Sequence, residues 1–329
     1  MPTGSLRSGT EGSELRTYLE ERRAIVEKAL ERLLPGREQF PSLIHRAIHH
    51  SLFAGGKRLR PILVIASAEA VGGEPEMVLP TACAVELIHT YSLIHDDLPS
   101  MDNADTRRGL PTCHRVYGEA MAVLAGDALH ALAFELLTQN AVTAGPERAL
   151  AVIEEIARAI GTGGMVGGQV LDLLGERAPQ EEKASLLAIL GDVQEEDSSP
   201  RSPLERLVYR IHRMKTASLM RACVRAGAIL AGGSDGELKA LTEYGESLGL
   251  AYQIVDDILD VIGEEEVLGK QAGSDAARSK VTFPAVFGLD RSIELARAYT
   301  EQAVAALTPL GERGRVLGMI ARYLLEREQ

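Results

Sequence analysis

Tryptophan is absent from this 329-residue chain and aromatic residues make up only 4% of it, yet 45% is hydrophobic. That is enough apolar material to bury one large core or two modest ones, and it reads as a single domain. Cysteine is scarce, with Cys83, Cys113 and Cys223 alone. An odd number without metal-type spacing argues against a disulfide framework, and all three sit in or beside apolar helical text as buried reduced thiols. No stretch reaches the roughly 18 uncharged apolar residues of a membrane-spanning helix, and the N-terminus lacks the basic-then-apolar pattern of a secretory signal. Together these absences predict a cytoplasmic protein. Net positive charge is lacking too: the formal charge of −12 disfavours nucleic acid or an anionic membrane as partner. An anionic ligand would have to be met by locally clustered Lys, Arg or metal.

Residues 1–12, MPTGSLRSGTEG, are small, polar and Gly-rich, and read as a disordered leader to a domain over 13–329. From Leu15 onward apolar residues recur at three- and four-residue spacings, as in TACAVELIHTYSLIH, MAVLAGDALHALAFELL and SLMRACVRAGAILAG. Breaks at VGGEPE, TAGPE and AGGSDGE separate these helices. No run alternates with period two, so a sheet is improbable. Pro179 to Glu205 mixes acidic, Ser and Pro residues around a short apolar core and reads as a surface insertion with one short helix. The expected fold class is all-α, with helices apolar on nearly all sides ringed by amphipathic ones.

Two acidic clusters stand out. In LIHDDLPSMD an apolar helix runs into Asp96 and Asp97, and Pro99 breaks it. A regular helix would turn Asp102 well away from Asp96, so the two can meet only through that break. In YQIVDDILDVIG, Asp256 and Asp260 lie four apart on one helical face, with Gln253 a turn earlier and Asp257 beside them. Like charges repel at that spacing, and carboxylates in apolar helices are costly to desolvate unless a cation arrives. All-oxygen ligands without a His/Cys set favour Mg²⁺ over zinc, at two facing clusters around a diphosphate. Either cluster alone reads equally as an acidic helix end.

Cations accompany them. GGKRLRP places Lys57, Arg58 and Arg60 between a Gly pair and Pro61, where backbone can approach a ligand, although an ordinary basic turn looks the same. Arg107 and Arg108 follow Asp102 and Asp105, as phosphate clamp or as salt-bridge partners. His89 lies two turns before Asp96 on its helix; Lys215, Thr216 and Lys270 follow later. The basic residues exceed what one diphosphate needs, so two diphosphate substrates are plausible.

These motifs resemble the trans-isoprenyl diphosphate synthases, in particular the bacterial farnesyl diphosphate synthase branch. The resemblance runs from about Ser42 to the C-terminus through GGKRLRP, DDLPSMDNADTRRG, GDAL (126–129), GGQVLDL (167–173), HRMKTASL (212–219), YQIVDDILD and LGKQAGSD with Lys280. It implies a helical bundle of the isoprenoid synthase type with a central cavity, a homodimer, and head-to-tail condensation of isopentenyl diphosphate with allylic diphosphates. Asp96, Asp102 and Asp256 would bind three Mg²⁺ ions, or Mn²⁺ in their place, with Asp97, Asp257 and Asp260 as further partners. Arg107, Lys215 and Lys270 would hold the allylic diphosphate, and Lys57, Arg60, His89 and Arg108 isopentenyl diphosphate. Thr216 and Gln253 would turn oxygen dipoles toward the allylic cation.

Tyr91, about 7.5 Å below Asp96 along the helix, would floor the chain pocket, and Ser92 would not extend it. An aromatic at this place in the family goes with the fifteen-carbon farnesyl product; the other reading is that Tyr91 only packs in the core. Asn103 and Ala104 depart from a family pattern richer in acids, and the 179–205 segment is longer than the bacterial branch leads one to expect. Three rivals remain: a geranylgeranyl diphosphate synthase, a terpene cyclase, and a non-catalytic subunit.

Overall fold

The computed structural model describes residues 10–179, 182–183, 186, 202–262 and 278–326. Lys270, residues 1–9 and most of the expected insertion lie outside them. The described chain is helical apart from one short hairpin and connecting turns, so the all-α expectation holds. The first helix, α1 (Thr10–Leu33), already begins inside the segment expected as leader.

Contact density divides the chain into two interleaved units: 1–154, 223–239 and 309–320 in the first, and 155–222, 240–308 and 321–329 in the second. In the first unit α2 (Ser42–Leu52), α3 (Leu59–Ala70), α4 (Pro75–Asp96) and α6 (Glu119–Thr138) surround the core, with the single-turn helix α5 (Cys113–Tyr117) before α6, and the chain continues through the short α7 (Asn140–Thr143) and α8 (Pro146–Ile160). Pro75 fits the start of α4, where its missing N–H has no helical partner to lose. The helix is apolar around its whole circumference, and Val78 to Ile88 are all buried. α1 lays Leu15, Val26, Ala29 and Leu30 into the same core.

Two segments, α4 and Glu119–Thr143, are long and apolar enough to cross a membrane by length and composition. This corrects the expectation that no stretch reaches that length, which counted only uncharged runs. Much of the α4 window, 78%, is buried inside the protein, as suits a core helix.

In the second unit α9 (Met165–Arg177) lies beside α10 (Pro203–His212), which opens on a capping box: Ser202 Oγ accepts the Glu205 N–H, and the Glu205 carboxylate accepts the Ser202 N–H. The chain passes from α10 through a π-helical turn, Arg213–Ala217, into α11 (Ser218–Ala231). The long helix α12 (Asp235–Ile262) carries the second acidic cluster. A core of Tyr209, Ile211, Ile254, Ile258 and Phe283 lies beneath it, with the Tyr209 and Phe283 rings edge to face at 5.0 Å.

Candidate active site

In the first unit α4 stops at Asp96 with Asp97 as its cap. After Pro99 the chain folds back: the Asp102 N–H donates to the Asp96 carbonyl at 2.8 Å and the Asn103 N–H to that of Leu98 at 2.9 Å. Asn103 takes a left-handed conformation, φ 49°, which asparagine tolerates. The break therefore joins Asp96 to Asp102, as Pro99 led us to expect. Asp97 is 3% exposed and clasped by Arg107, whose Nε and Nη2 donate to Oδ1 at 2.8 and 2.6 Å. Burial drives the Asp97 pKa up and the guanidinium only partly offsets it. Asp97 was expected as a metal partner and Arg107 as a phosphate clamp; each is engaged by the other.

Arg107 lies in β1 (Thr106–Arg107), paired antiparallel with β2 (Leu110–Pro111) around Arg108 and Gly109, both at positive φ. Strands of two residues are too short to show a period, which is why the sequence reading missed this hairpin. Arg108 Nη1 donates to the Gly55 carbonyl. A Cβ on Gly56 would lie 2.9 Å from Arg108 Cζ, so the second glycine of GGKRLRP makes room for that guanidinium.

Arg58 separates from its neighbours. It is 2% exposed in a left-handed conformation, and it donates to Glu27 at 2.8 Å, to Glu86 at 2.7 Å and to the Leu52 carbonyl at 2.7 Å. These bonds tie the residue between Lys57 and the start of α3 to α1, α2 and α4. Arg60 Nε, by contrast, is buried without a hydrogen-bond partner. Burial and the charges of Arg60, Arg108, Arg107 and Arg58 hold the His89 pKa well below its ordinary value, so the ring is neutral amid guanidiniums. Arg58 and Arg107 are matched by carboxylates, so the positive charge that a bound anion would neutralise comes from Arg60 and Arg108.

Ser92 Oγ donates to the His89 carbonyl at 2.9 Å. Tyr91 is 8% exposed, and its ring meets His95 at 5.9 Å and His130 of α6 at 5.1 Å. Burial and then Asp96 push its hydroxyl up to about 12.

In the second unit the π turn carries Lys215 and Thr216, the kind of helix irregularity often found at functional sites. A Cβ on Gly168 would lie 2.3 Å from the Lys215 nitrogen, and one on Gly249 2.4 Å from Ala217 Cα. The motif glycine of GGQVLDL thus admits the π turn. Lys215 Nζ donates to Asp172 at 2.6 Å. Burial raises the Asp172 pKa, but Lys215 and Lys280 outweigh it and leave a net lowering. Thr216 Oγ1 donates to Gln253 Oε1 at 2.7 Å.

Of the α12 carboxylates, Asp256 is half-buried and Asp260 is 1% exposed. Asp257, expected as a further metal partner, instead accepts from His212, Gln253 and the Phe283 N–H. His212 and Asp172 had been quoted within motifs without a role. Their partners are 45 and 43 residues away in sequence, beyond the reach of local spacing.

Among the described residues no three His, Cys, Asp or Glu side chains form a metal cage of their own. Asp96 with Asp102, and Asp256 with Asp260, are all-oxygen sets that suit Mg²⁺, an ion that completes its shell with water and phosphate oxygens.

The polyprenyl synthetase family model matches residues 41–308. A geranylgeranyl diphosphate synthase of Cyanophora paradoxa is 42% identical, over 95% of this chain and 96% of its own. A chloroplastic geranylgeranyl pyrophosphate synthase 3 of Arabidopsis thaliana is 45% identical, over 92% of this chain and 78% of its own. The crystal structure of an FPP/GFPP synthase from Zymomonas mobilis superposes with a TM-score of 0.78 at 34% identity, covering 95% of this chain and 99% of that one. With this match over most of its length, the chain belongs to the polyprenyl synthetase family and is a transferase of the prenyl diphosphate synthase type.

Proposed function

We propose that the chain condenses isopentenyl diphosphate with allylic diphosphates and that its principal product is geranylgeranyl diphosphate. The observation that carries the chemistry is the buried, unpartnered Nε of Arg60 beside His89 and Arg108, a setting for a diphosphate anion. The product assignment is supported by the names of the relatives above, and it moves the preferred product from fifteen carbons to twenty.

In this reading Lys57, Arg60, His89 and Arg108 hold isopentenyl diphosphate, and Arg107, Lys215 and Lys270 hold the allylic diphosphate. Asp96, Asp102, Asp256 and Asp260 hold Mg²⁺. Magnesium, when bound, neutralises the diphosphate and makes it a better leaving group. Lys215 and Arg107 add donors to the departing oxygens, and both are preset by carboxylates, Asp172 and Asp97. Thr216 and Gln253 offer oxygen dipoles to the allylic cation. The released diphosphate takes the final proton, so no side chain serves as general base. The exposed Val123 and Leu124 of α6 support a homodimer that covers them, a state that light scattering measures. The reduced, buried thiols support a reducing compartment such as the cytoplasm.

The fifteen-carbon product remains as a second reading because Tyr91 is buried five residues before Asp96. Incubation with labelled isopentenyl and dimethylallyl diphosphates, followed by sizing of the hydrolysed alcohols, separates the two. A twenty-carbon alcohol is the expected outcome. Cyclic hydrocarbons formed without consumption of isopentenyl diphosphate would overturn the condensation itself.

A further inference from the structure

His212 is 4% exposed, and both its ring nitrogens face acceptors: Nδ1 lies 2.8 Å from the Val208 carbonyl and Nε2 2.8 Å from Asp257 Oδ2. The ring thus bridges the Val208 carbonyl and the Asp257 carboxylate. The same Oδ2 accepts the Phe283 N–H at 2.9 Å, and Oδ1 accepts from Gln253 Nε2 at 3.0 Å. An amide whose NH₂ is held by a carboxylate turns its oxygen to the opposite side. There Gln253 Oε1 accepts from Thr216 Oγ1 at 2.7 Å.

We propose that His212 and Asp257 are positioning residues: their buried pair fixes the amide of Gln253, and through it the hydroxyl of Thr216, so that both oxygens keep one orientation toward developing positive charge. Asp257 thereby leaves the metal-ligand set, where its place in the DDxxD pattern had put it. Its three N–H donors and 3% exposure explain why. A buried polar pair adds little net stability over an apolar pair of the same volume. What it supplies here is a definite orientation for Gln253, whose two amide ends would otherwise be nearly interchangeable. Thr216 is held from the other side by the π turn wedged against Gly168 and Gly249. The catalytic consequence rests on the prenyl-transfer reading above; the hydrogen-bond relay itself does not.

Two measurements on the full chain test it. In steady-state condensation, His212→Leu should lower kcat by about 10- to 100-fold, with KM for both diphosphates and the Mg²⁺ activation midpoint within about 3-fold of wild type. Gln253→Leu should show a comparable fall, and the double variant should be at most about 2-fold slower than Gln253→Leu alone, because both act through one amide. His212→Gln, which keeps a donor toward Asp257, should recover most of kcat. Multiplying effects, or a loss confined to KM, would overturn the proposal.

The second measurement is independent of turnover. In protein labelled with ¹⁵N-glutamine, the Gln253 side-chain NH₂, assigned by its loss in Gln253→Leu, should exchange slowly in wild type and fast in His212→Leu. If His212→Leu does not fold, His212→Gln serves, with intermediate exchange expected. Unchanged exchange in the folded variant refutes the relay. Faster exchange in a chain that transfers no prenyl group refutes the functional reading alone.

Discussion

Asp97 and Arg107 form a fork in which two guanidinium nitrogens share one carboxylate oxygen, Oδ1, at 2.6 and 2.8 Å. The helix cap and the hairpin strand that supply them are ten residues apart in sequence. The pair therefore ties the hairpin to the end of α4. In the other unit Asp257 stands to His212 in a similar way, each second aspartate of a DD pair being buried against a basic side chain.

This pairing predicts different behaviour for adjacent aspartates. Asp96→Asn should move the Mg²⁺ activation midpoint upward by about tenfold or more, since it removes an oxygen charge from the proposed metal set. Asp97→Asn should leave that midpoint within about 3-fold and instead raise KM for the allylic diphosphate, because Arg107 loses the carboxylate that orients it. Titration of activity against Mg²⁺ at saturating substrate, with KM measured at saturating Mg²⁺, checks both. Equal Mg²⁺ shifts in the two variants would return Asp97 to the metal.

Arg58 is the second case. With its guanidinium buried between Glu27 and Glu86, Arg58→Met should destabilise the fold by about 3–5 kcal/mol, since Glu86, itself 2% exposed, is left as an uncompensated buried charge. Adding Glu86→Gln should recover part of that loss. Denaturant unfolding of both variants measures it, and a single variant within about 1 kcal/mol of wild type would show that water reaches Glu86.

These residues also show what could be read before any fold was known. The return of Asp102 to Asp96 was legible because Pro99 must interrupt a helix, and the breaks at VGGEPE and AGGSDGE were legible because Gly and Pro punctuate helices locally. The division of labour within GGKRLRP was not. Lys57, Arg58 and Arg60 are chemically alike in sequence, and only Glu27 and Glu86, 31 and 28 residues from Arg58, set it apart. The glycine of GGQVLDL was recognisable as a motif, but its reason, a Lys215 backbone too close for any Cβ, depends on packing between distant helices.

Tyr91 separates the two product readings experimentally. Its ring packs on His130 of α6 at 5.1 Å, which favours a core role over a pocket floor. Tyr91→Ala should therefore lower stability by about 3 kcal/mol through the cavity it leaves, while the principal alcohol stays at twenty carbons. Sizing of the hydrolysed products checks this. A fifteen-carbon product in wild type that lengthens in the variant would restore Tyr91 as the floor.

Asp172 and Lys215 supply a pH dependence whose sign follows from the lowered Asp172 pKa. A carboxyl with a depressed folded pKa releases its proton more readily when folded, so its stabilisation is complete above the unfolded value, about 3.9. It is lost as pH falls through the depressed folded value. Asp172→Asn should therefore be less stable than wild type by about 1–2 kcal/mol near neutral pH, the modest size reflecting the partial exposure of Lys215, 27%. The gap in Tm should hold from pH 8 to about pH 5, narrow below about pH 4, and close once Asp172 is protonated in the folded chain. Thermal unfolding of both proteins across that range follows it. A gap that persists undiminished at the acid end would mean that Asp172 acts through packing, and Lys215 would then be oriented by the π turn alone.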